Sequence, residues 1–149
     1  KRTMGTDELY TSKYGSYSSS DLSGFVLKKL KTESESAYGN IAEAVITIPA
    51  NFANEAREAT MQAATNAGLT VKYIINEPTA AALYYAQFSG NELGGYYAIY
   101  DLGGGTFDIT IVEASGNDIK VLSTDGVNKL GGDDFDRKLQ EIVARKYTE

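Results

Sequence analysis

The sequence predicts an α/β protein, and three observations carry that prediction. Apolar strand-like runs alternate with helix-like runs from residue 42 to residue 88, a crossover pattern of strand, helix, strand, helix. Glycine and proline fall at the ends of those runs: Pro49 stops one strand, Gly68 follows one helix and Pro78 opens the next. The second half then carries three further strand-like runs and a closing amphipathic stretch.

Taken in order, the first twenty residues stand apart. Tyr10 to Ser20 is rich in Tyr and Ser with little period, and reads as a loop or a weak hairpin. Asp21 is expected to cap a helix whose apolar stripe is Leu22, Phe25, Val26 and Leu30, with lysines 28, 29 and 31 on the wet side. A polar run from Lys31 to Gly39 follows. Ala42 to Ile48 leads into a strand that is nearly apolar, as in a sheet covered on both faces. Asn54 is placed to cap the next helix, whose alanines 56, 59, 63 and 67 make a narrow face for close packing, and Gly68 ends it. Val71 to Ile75 is a strand, and a short helix runs from Thr79 to Ala86. Tyr96 to Tyr100, Phe107 to Val112 and Ile119 to Thr124 are strands. The last helix carries Phe135, Leu139, Ile142 and Val143 on one face.

The richest stretch chemically is Asp101-Leu102-Gly103-Gly104-Gly105-Thr106-Phe107-Asp108, a strand-to-strand turn with three glycines and a hydroxyl between two carboxylates. Without Cβ atoms the glycines are free to take φ > 0, and their N–H groups can approach an anion closely. A bare glycine run reads as a turn or a bulge. The flanking acids and Thr106 favour phosphate held together with its metal, because carboxylates stand near phosphate only across a cation, and hydrated Mg²⁺ is the usual one.

Composition narrows the chemistry. The chain has 149 residues, 42% apolar and 23% charged, which is enough for an ordinary folded domain. Twenty acidic residues against fourteen basic give a net charge of -6, which disfavours nucleic acid as a ligand. No apolar run is long enough to cross a bilayer and no leader is recognised, so the expectation is a cytoplasmic protein with no membrane partner. With neither cysteine nor histidine, catalysis falls to Asp, Glu, Lys or Thr, and phosphoryl transfer suits that set.

Two other clusters have two readings each. Glu77, held extended before Pro78 at the C-terminal end of a strand, is equally a ligand-facing carboxylate or a helix cap. Asp133, Asp134 and Asp136 in Leu130-Gly131-Gly132-Asp133-Asp134-Phe135-Asp136 read as caps before they read as metal ligands.

Four blocks in order carry a resemblance: Val45 to Ala50, Ile74 to Ala82, Asp101 to Asp108 and Leu130 to Asp136. Together they resemble the ATPase domain of the DnaK-type, seventy-kilodalton heat-shock chaperones, with few gaps from about Asp21 to the end, and Lys1 to Gly5 resembles the stretch bearing that family's catalytic lysine. The resemblance implies an actin-like ATPase fold with ribonuclease H-like lobes, and ATP or ADP with Mg²⁺ in the cleft between them. It implies that residues 21–88 are part of the first lobe with its hinge, that 96–149 are part of the second lobe with the phosphate hairpin, and that 1–20 are a variable peripheral segment.

Carried over by resemblance, Lys1 contacts the γ-phosphate and the attacking water, while Glu77 sits at the hinge near metal-bound water. Asp101 orients the water shell of Mg²⁺. Gly103, Gly104, Gly105 and Thr106 hold the β- and γ-phosphates through amides and a hydroxyl, and Asp108 supports the same network. Pro49 and Arg57 match a relay that reports nucleotide state to a peptide-binding domain. The implied partners are unfolded peptide clients, a J-domain co-chaperone and a nucleotide exchange factor.

The chain starts at the matched lysine and stops within a helix, so it is expected to be an interior fragment of both lobes that binds ATP weakly or not detectably and does not turn it over alone. The stretch from Gly5 to Asp21 reads as shorter than the family's usual hairpin region. Two alternatives share the Glu-Pro and Asp-x-Gly-Gly-Gly-Thr motifs: an actin-like filament protein of the cell-shape type, and a sugar kinase of the same superfamily.

Overall fold

The computed structural model describes residues 1–90, 92–127 and 129–148, the side chain of Thr148 excepted; residues 128 and 149 of the expected second-lobe part lie outside the described residues. The chain is α/β, and its contacts divide it into two units: Lys1 with Thr3–Glu77, and Arg2 with the residues from Pro78 onward.

In the first unit, β1 (Leu9–Ser12) and β2 (Gly15–Ser18) form an antiparallel hairpin, so the Tyr/Ser-rich segment is ordered as the weak hairpin of the sequence reading. Helix α1 (Ser19–Tyr38) starts earlier and ends later than expected. Its cap is Ser18, not Asp21: the Ser18 hydroxyl accepts from the Asp21 N–H at 3.1 Å, and the Asp21 carboxylate accepts from the Ser18 N–H at 2.9 Å. Such a reciprocal box leaves the acid at the third helical position. The polar run after Lys31 stays helical because Lys29–Glu33 and Lys31–Glu35 pair one turn apart, at 2.9 and 3.5 Å.

The expected stripe of α1 is not the packed one. Leu22, Phe25, Val26 and Leu30 are exposed, whereas Ser19 and Gly24 are buried. Helix α2 (Asn54–Asn66) is the reason, since its Ala63 carbonyl lies 3.3 Å from where a Cβ on Gly24 would stand, and Ser20 Oγ donates to the Ala59 carbonyl at 3.1 Å. Small residues let the two helices approach closely, and Ala56, Ala63 and Ala64, with Ala67 just past the last turn, form the buried side of α2. The cap of α2 is Ala53 without a side-chain bond, and Asn54 is the first helical residue rather than the cap. Gly68, at φ 72°, follows the last turn as expected.

Strands β3 (Ala44–Ile48) and β4 (Val71–Asn76) pair in parallel across α2, which is the crossover predicted from the pattern. The sheet is not covered on both faces among the described residues: β3 alternates, with Ile48 buried while Val45 and, on β4, Tyr73 are exposed.

In the second unit, α3 (Glu77–Ser89), which belongs to it from Pro78, precedes the antiparallel sheet of β5 (Gly94–Leu102), β6 (Phe107–Ser115) and β7 (Asp118–Val127), in that spatial order. The strands extend beyond their predicted cores. Ala82 of α3 packs with Leu93 and Ala114, flanked by Tyr97, Ile99 and Ile119, so one face of the sheet is covered. The other face exposes Tyr96, Tyr100, Ile109, Ile111 and Leu122. Helix α4 (Gly132–Thr148) has acids in its first turn and Arg145 and Lys146 in its last, matching the helix dipole. Its predicted apolar face, Phe135, Leu139, Ile142 and Val143, is exposed. Among the described residues no helix is long and apolar enough to cross a membrane.

Candidate functional site

The glycine turn joins β5 to β6. Asp101 stands opposite Asp108 and Leu102 opposite Phe107, and the Gly103 N–H donates to the Thr106 carbonyl at 2.9 Å to close the turn. The expected positive φ is absent: none of Gly103, Gly104 and Gly105 lies in the left-handed region. Space is tight only at Gly105; at Gly103 and Gly104 an added Cβ would make ordinary contact. A Cβ on Gly105 would lie 3.1 Å from Arg2 Nε, and one on Gly103 3.5 Å from the Thr106 carbonyl oxygen.

Three consecutive carbonyls of the turn are bound from the same neighbourhood. Gly103 O accepts from the Gly132 N–H at 3.0 Å and Gly104 O from the Asp133 N–H at 2.9 Å, both at the start of α4, and Gly105 O accepts from Arg2 Nε at 2.7 Å. A trans peptide is planar, with its C=O and N–H on opposite sides. Fixing the carbonyls of residues 103 to 105 therefore aims the N–H groups of Gly104, Gly105 and Thr106 away from α4 and Arg2. Successive backbone donors left free in this way suit an oxyanion.

Gly131 makes this packing possible, since a Cβ there would lie 2.5 Å from both the carbonyl carbon and oxygen of Gly104. Asp134 anchors the arrangement: it accepts from Arg2 at 2.7 Å and from Arg137 at 2.9 Å. Partial burial of Asp134 would raise its pKa, but the hydrogen bond and charge of Arg2, with help from Arg137 and the Gly131 backbone, hold the carboxyl below its ordinary range.

Asp101 and Asp108 are a directly opposed cross-strand pair, an arrangement of like charges that is unfavourable unless a cation or hydrogen-bond donors offset it. Among the described residues no group of three or more acids gathers as a protein cage for a metal. The donor set fits a cation that keeps most of its water and takes one or two carboxylates, as Mg²⁺ does.

In the first unit, Lys1 Nζ donates to both oxygens of Glu77, at 3.0 and 2.8 Å. Glu77 opens α3 at the end of β4, so it is both the first-turn acid of a helix and the partner of a lysine. Beside this pair lies an apolar hollow of about 250 Å³, lined by Met4, Val26, Leu27, Ile46, Pro49 and Phe52 among others. Pro49 is buried at the end of β3, whereas Arg57 is exposed on α2 and forms no ion pair among the described residues.

Arg2 and the anchoring part of Asp134 escaped the sequence reading. Asp134 was visible as a helix-start acid, but its partner lies 132 positions away, and no local pattern marks an arginine that reaches a distant carbonyl. Gly131 had a signal in the Gly-Gly pair before the acids.

A family model described as Hsp70 protein matches residues 3–149. The Chaperone protein DnaK of Thermotoga neapolitana is 48% identical over 150 residues, covering 99% of this chain and 25% of that protein. The Chaperone protein DnaK of Thermotoga petrophila gives the same identity and coverage. The chain thus spans about a quarter of the length of these curated relatives. An alignment of that length leaves no room for a long deletion, so the stretch from Gly5 to Asp21 is not markedly shortened relative to these two relatives. The family match also begins at residue 3 rather than near Asp21.

Proposed function

This chain belongs to the Hsp70 family, and on that premise we propose that it is the part of a chaperone's ATPase domain that holds the phosphates of ATP and ADP. The observation that carries the reading is the turn from Gly103 to Thr106, with three carbonyls bound behind it and three amides aimed outward. In this reading the fold is actin-like, with residues 21–88 and 96–149 contributing to its two lobes. The parent protein hydrolyses ATP and couples nucleotide state to the binding of unfolded peptide, with a J-domain co-chaperone and an exchange factor as partners.

Gly104, Gly105 and Thr106 offer amides, and Thr106 a hydroxyl, to the β- and γ-phosphates, while Gly103 closes the turn. Asp101, supported by Asp108, would hold Mg²⁺ through its water. When bound, the ion supplies charge neutralisation of the phosphates. Lys1 approaches the γ-phosphate and the attacking water, and its pairing with Glu77 supports this role by placing the ammonium beside that carboxylate. Glu77 would act on the ion through water and help to orient the attacking one. Pro49 and Arg57 serve the relay toward the peptide-binding domain.

The test uses the full-length parent carrying Glu77→Gln or Asp101→Asn. Carboxylates that act through water contribute mainly in the transition state, so Mg-ATP binding should stay within a few-fold while single-turnover hydrolysis falls on the order of a hundredfold or more. Unchanged turnover in both variants would remove these acids from the mechanism.

A further inference from the structure

Arg2 is assigned no role by the phosphate reading, nor is Asp134, yet both sit directly behind the turn that the reading depends on. Arg2 spends its fork on two acceptors at once: Nε donates to Gly105 O and a terminal nitrogen donates to Asp134, each at 2.7 Å. Both side chains are about three-quarters buried, at 26% and 20% exposed, so water competes weakly for these bonds. Asp134 is fixed in turn by Arg137 and by its place in the first turn of α4, whose preceding N–H groups bind the other two carbonyls.

Gly103 O and Gly104 O are held by backbone amides, but Gly105 O is held by a side chain. The peptide it belongs to carries the Thr106 N–H. We propose that Arg2 and Asp134 are positioning residues for phosphate binding: Arg2 sets the Gly105–Thr106 peptide so that the Thr106 N–H faces the phosphates, and Asp134 sets Arg2. Neither touches the nucleotide. The proposal rests on the phosphate reading of the turn.

A plain ion pair would be served by any cation. This one needs the arginine fork, because a lysine ammonium is a point charge and does not reproduce two fixed donors at that spacing. The full-length parent with Arg2→Gln, Arg2→Lys or Asp134→Asn is titrated calorimetrically with Mg-ADP and, separately, with adenosine, which has no phosphate. Arg2→Gln is expected to lose about tenfold in ADP affinity, the loss associated with one misplaced charge-assisted donor, while adenosine affinity stays unchanged. Arg2→Lys should recover only part of it, and Asp134→Asn should show a smaller loss of the same kind. Unchanged adenosine binding also reports that each variant is folded.

An ADP-to-adenosine affinity ratio in Arg2→Gln equal to that of the unaltered protein would overturn the positioning role. Equal proportional loss of both ligands in Arg2→Gln and Arg2→Lys would overturn it too, since the arginine would then support the fold at large. An unaltered protein that gains no affinity from phosphates would overturn the reading of the turn itself, and this role with it.

Discussion

Lys1 and Glu77 meet through the tips of two flexible side chains, 45% and 22% exposed, whereas the backbone of the turn from Gly103 to Thr106 is fixed at three successive carbonyls, two by amides of Gly132 and Asp133 and one by Arg2. The first arrangement concentrates charge on groups that move easily. The second concentrates donors on groups that do not move unless a peptide rotates. A flexible ion pair suits a group that follows a water or a phosphate through a reaction, and a fixed set of amides suits binding that is already in place before it. The contrast also says how each is broken: the pair by changing its own side chains, the turn by changing its neighbours.

The largest effect should come from Gly131→Ala. Its Cβ would meet the Gly104 carbonyl carbon and oxygen at 2.5 Å, and backbone cannot give way as a side-chain tip does. Overpacking of this kind should destabilise the full-length protein by about 2 kcal/mol in its thermal transition. ADP affinity should fall well over tenfold as the turn is displaced. A stable variant with normal affinity would mean that the turn is not held from behind.

Gly104→Val should separate binding from stability. Gly104 has no positive φ, and its nearest neighbour to an added Cβ is Asp133 Oδ1 at 4.0 Å, so the folded chain has room there. Thermal stability should change by less than about 1 kcal/mol. Nucleotide affinity should still fall about tenfold, because a branched side chain next to the Gly104 and Gly105 amides hinders the close approach of a phosphate to the backbone. Preserved affinity would reduce the glycine run to a turn.

Those two variants show what was legible in the sequence and what was not. The strand, helix, strand crossover, the hairpin at Asp101 to Asp108 and the role of Gly68 followed from local period and punctuation, and the chain adopts them. The conformation of Gly103 to Gly105 did not follow, because glycine permits many values of φ and the carbonyl partners that select among them come from Arg2, Gly132 and Asp133. The burial of α1 was misread for a related reason. Its hydrophobic stripe was plain, but close approach to α2 is decided by Gly24 and Ser20, whose smallness carries no hydrophobic signal. The cap was misplaced by three residues because Asp21 is half of a reciprocal box whose other half, Ser18, sat inside a run of serines.

The smallest expected effect concerns that box, a side-chain device like the Lys1–Glu77 pair. Hydrogen bonds from the Ser18 side chain and backbone hold the Asp21 carboxyl below its ordinary value of 3.8. Since the folded value is the lower, the stabilisation is present above about that pH and is lost as pH falls through the folded value. Asp21→Asn should therefore lower the thermal midpoint slightly at pH 6, and the difference should close below pH 3.8. A difference that does not vary with pH would show that the carboxylate charge contributes nothing to the cap.

The central claim is that the amides of Gly104, Gly105 and Thr106 receive phosphate oxygens, and amide nuclear magnetic resonance of the full-length protein reads it directly. On adding Mg-ADP, with adenosine as the control, those three amide protons should move downfield and exchange more slowly with solvent, as donors to a charged acceptor do. Saturating ADP that leaves all three resonances and their exchange rates where adenosine leaves them would contradict it.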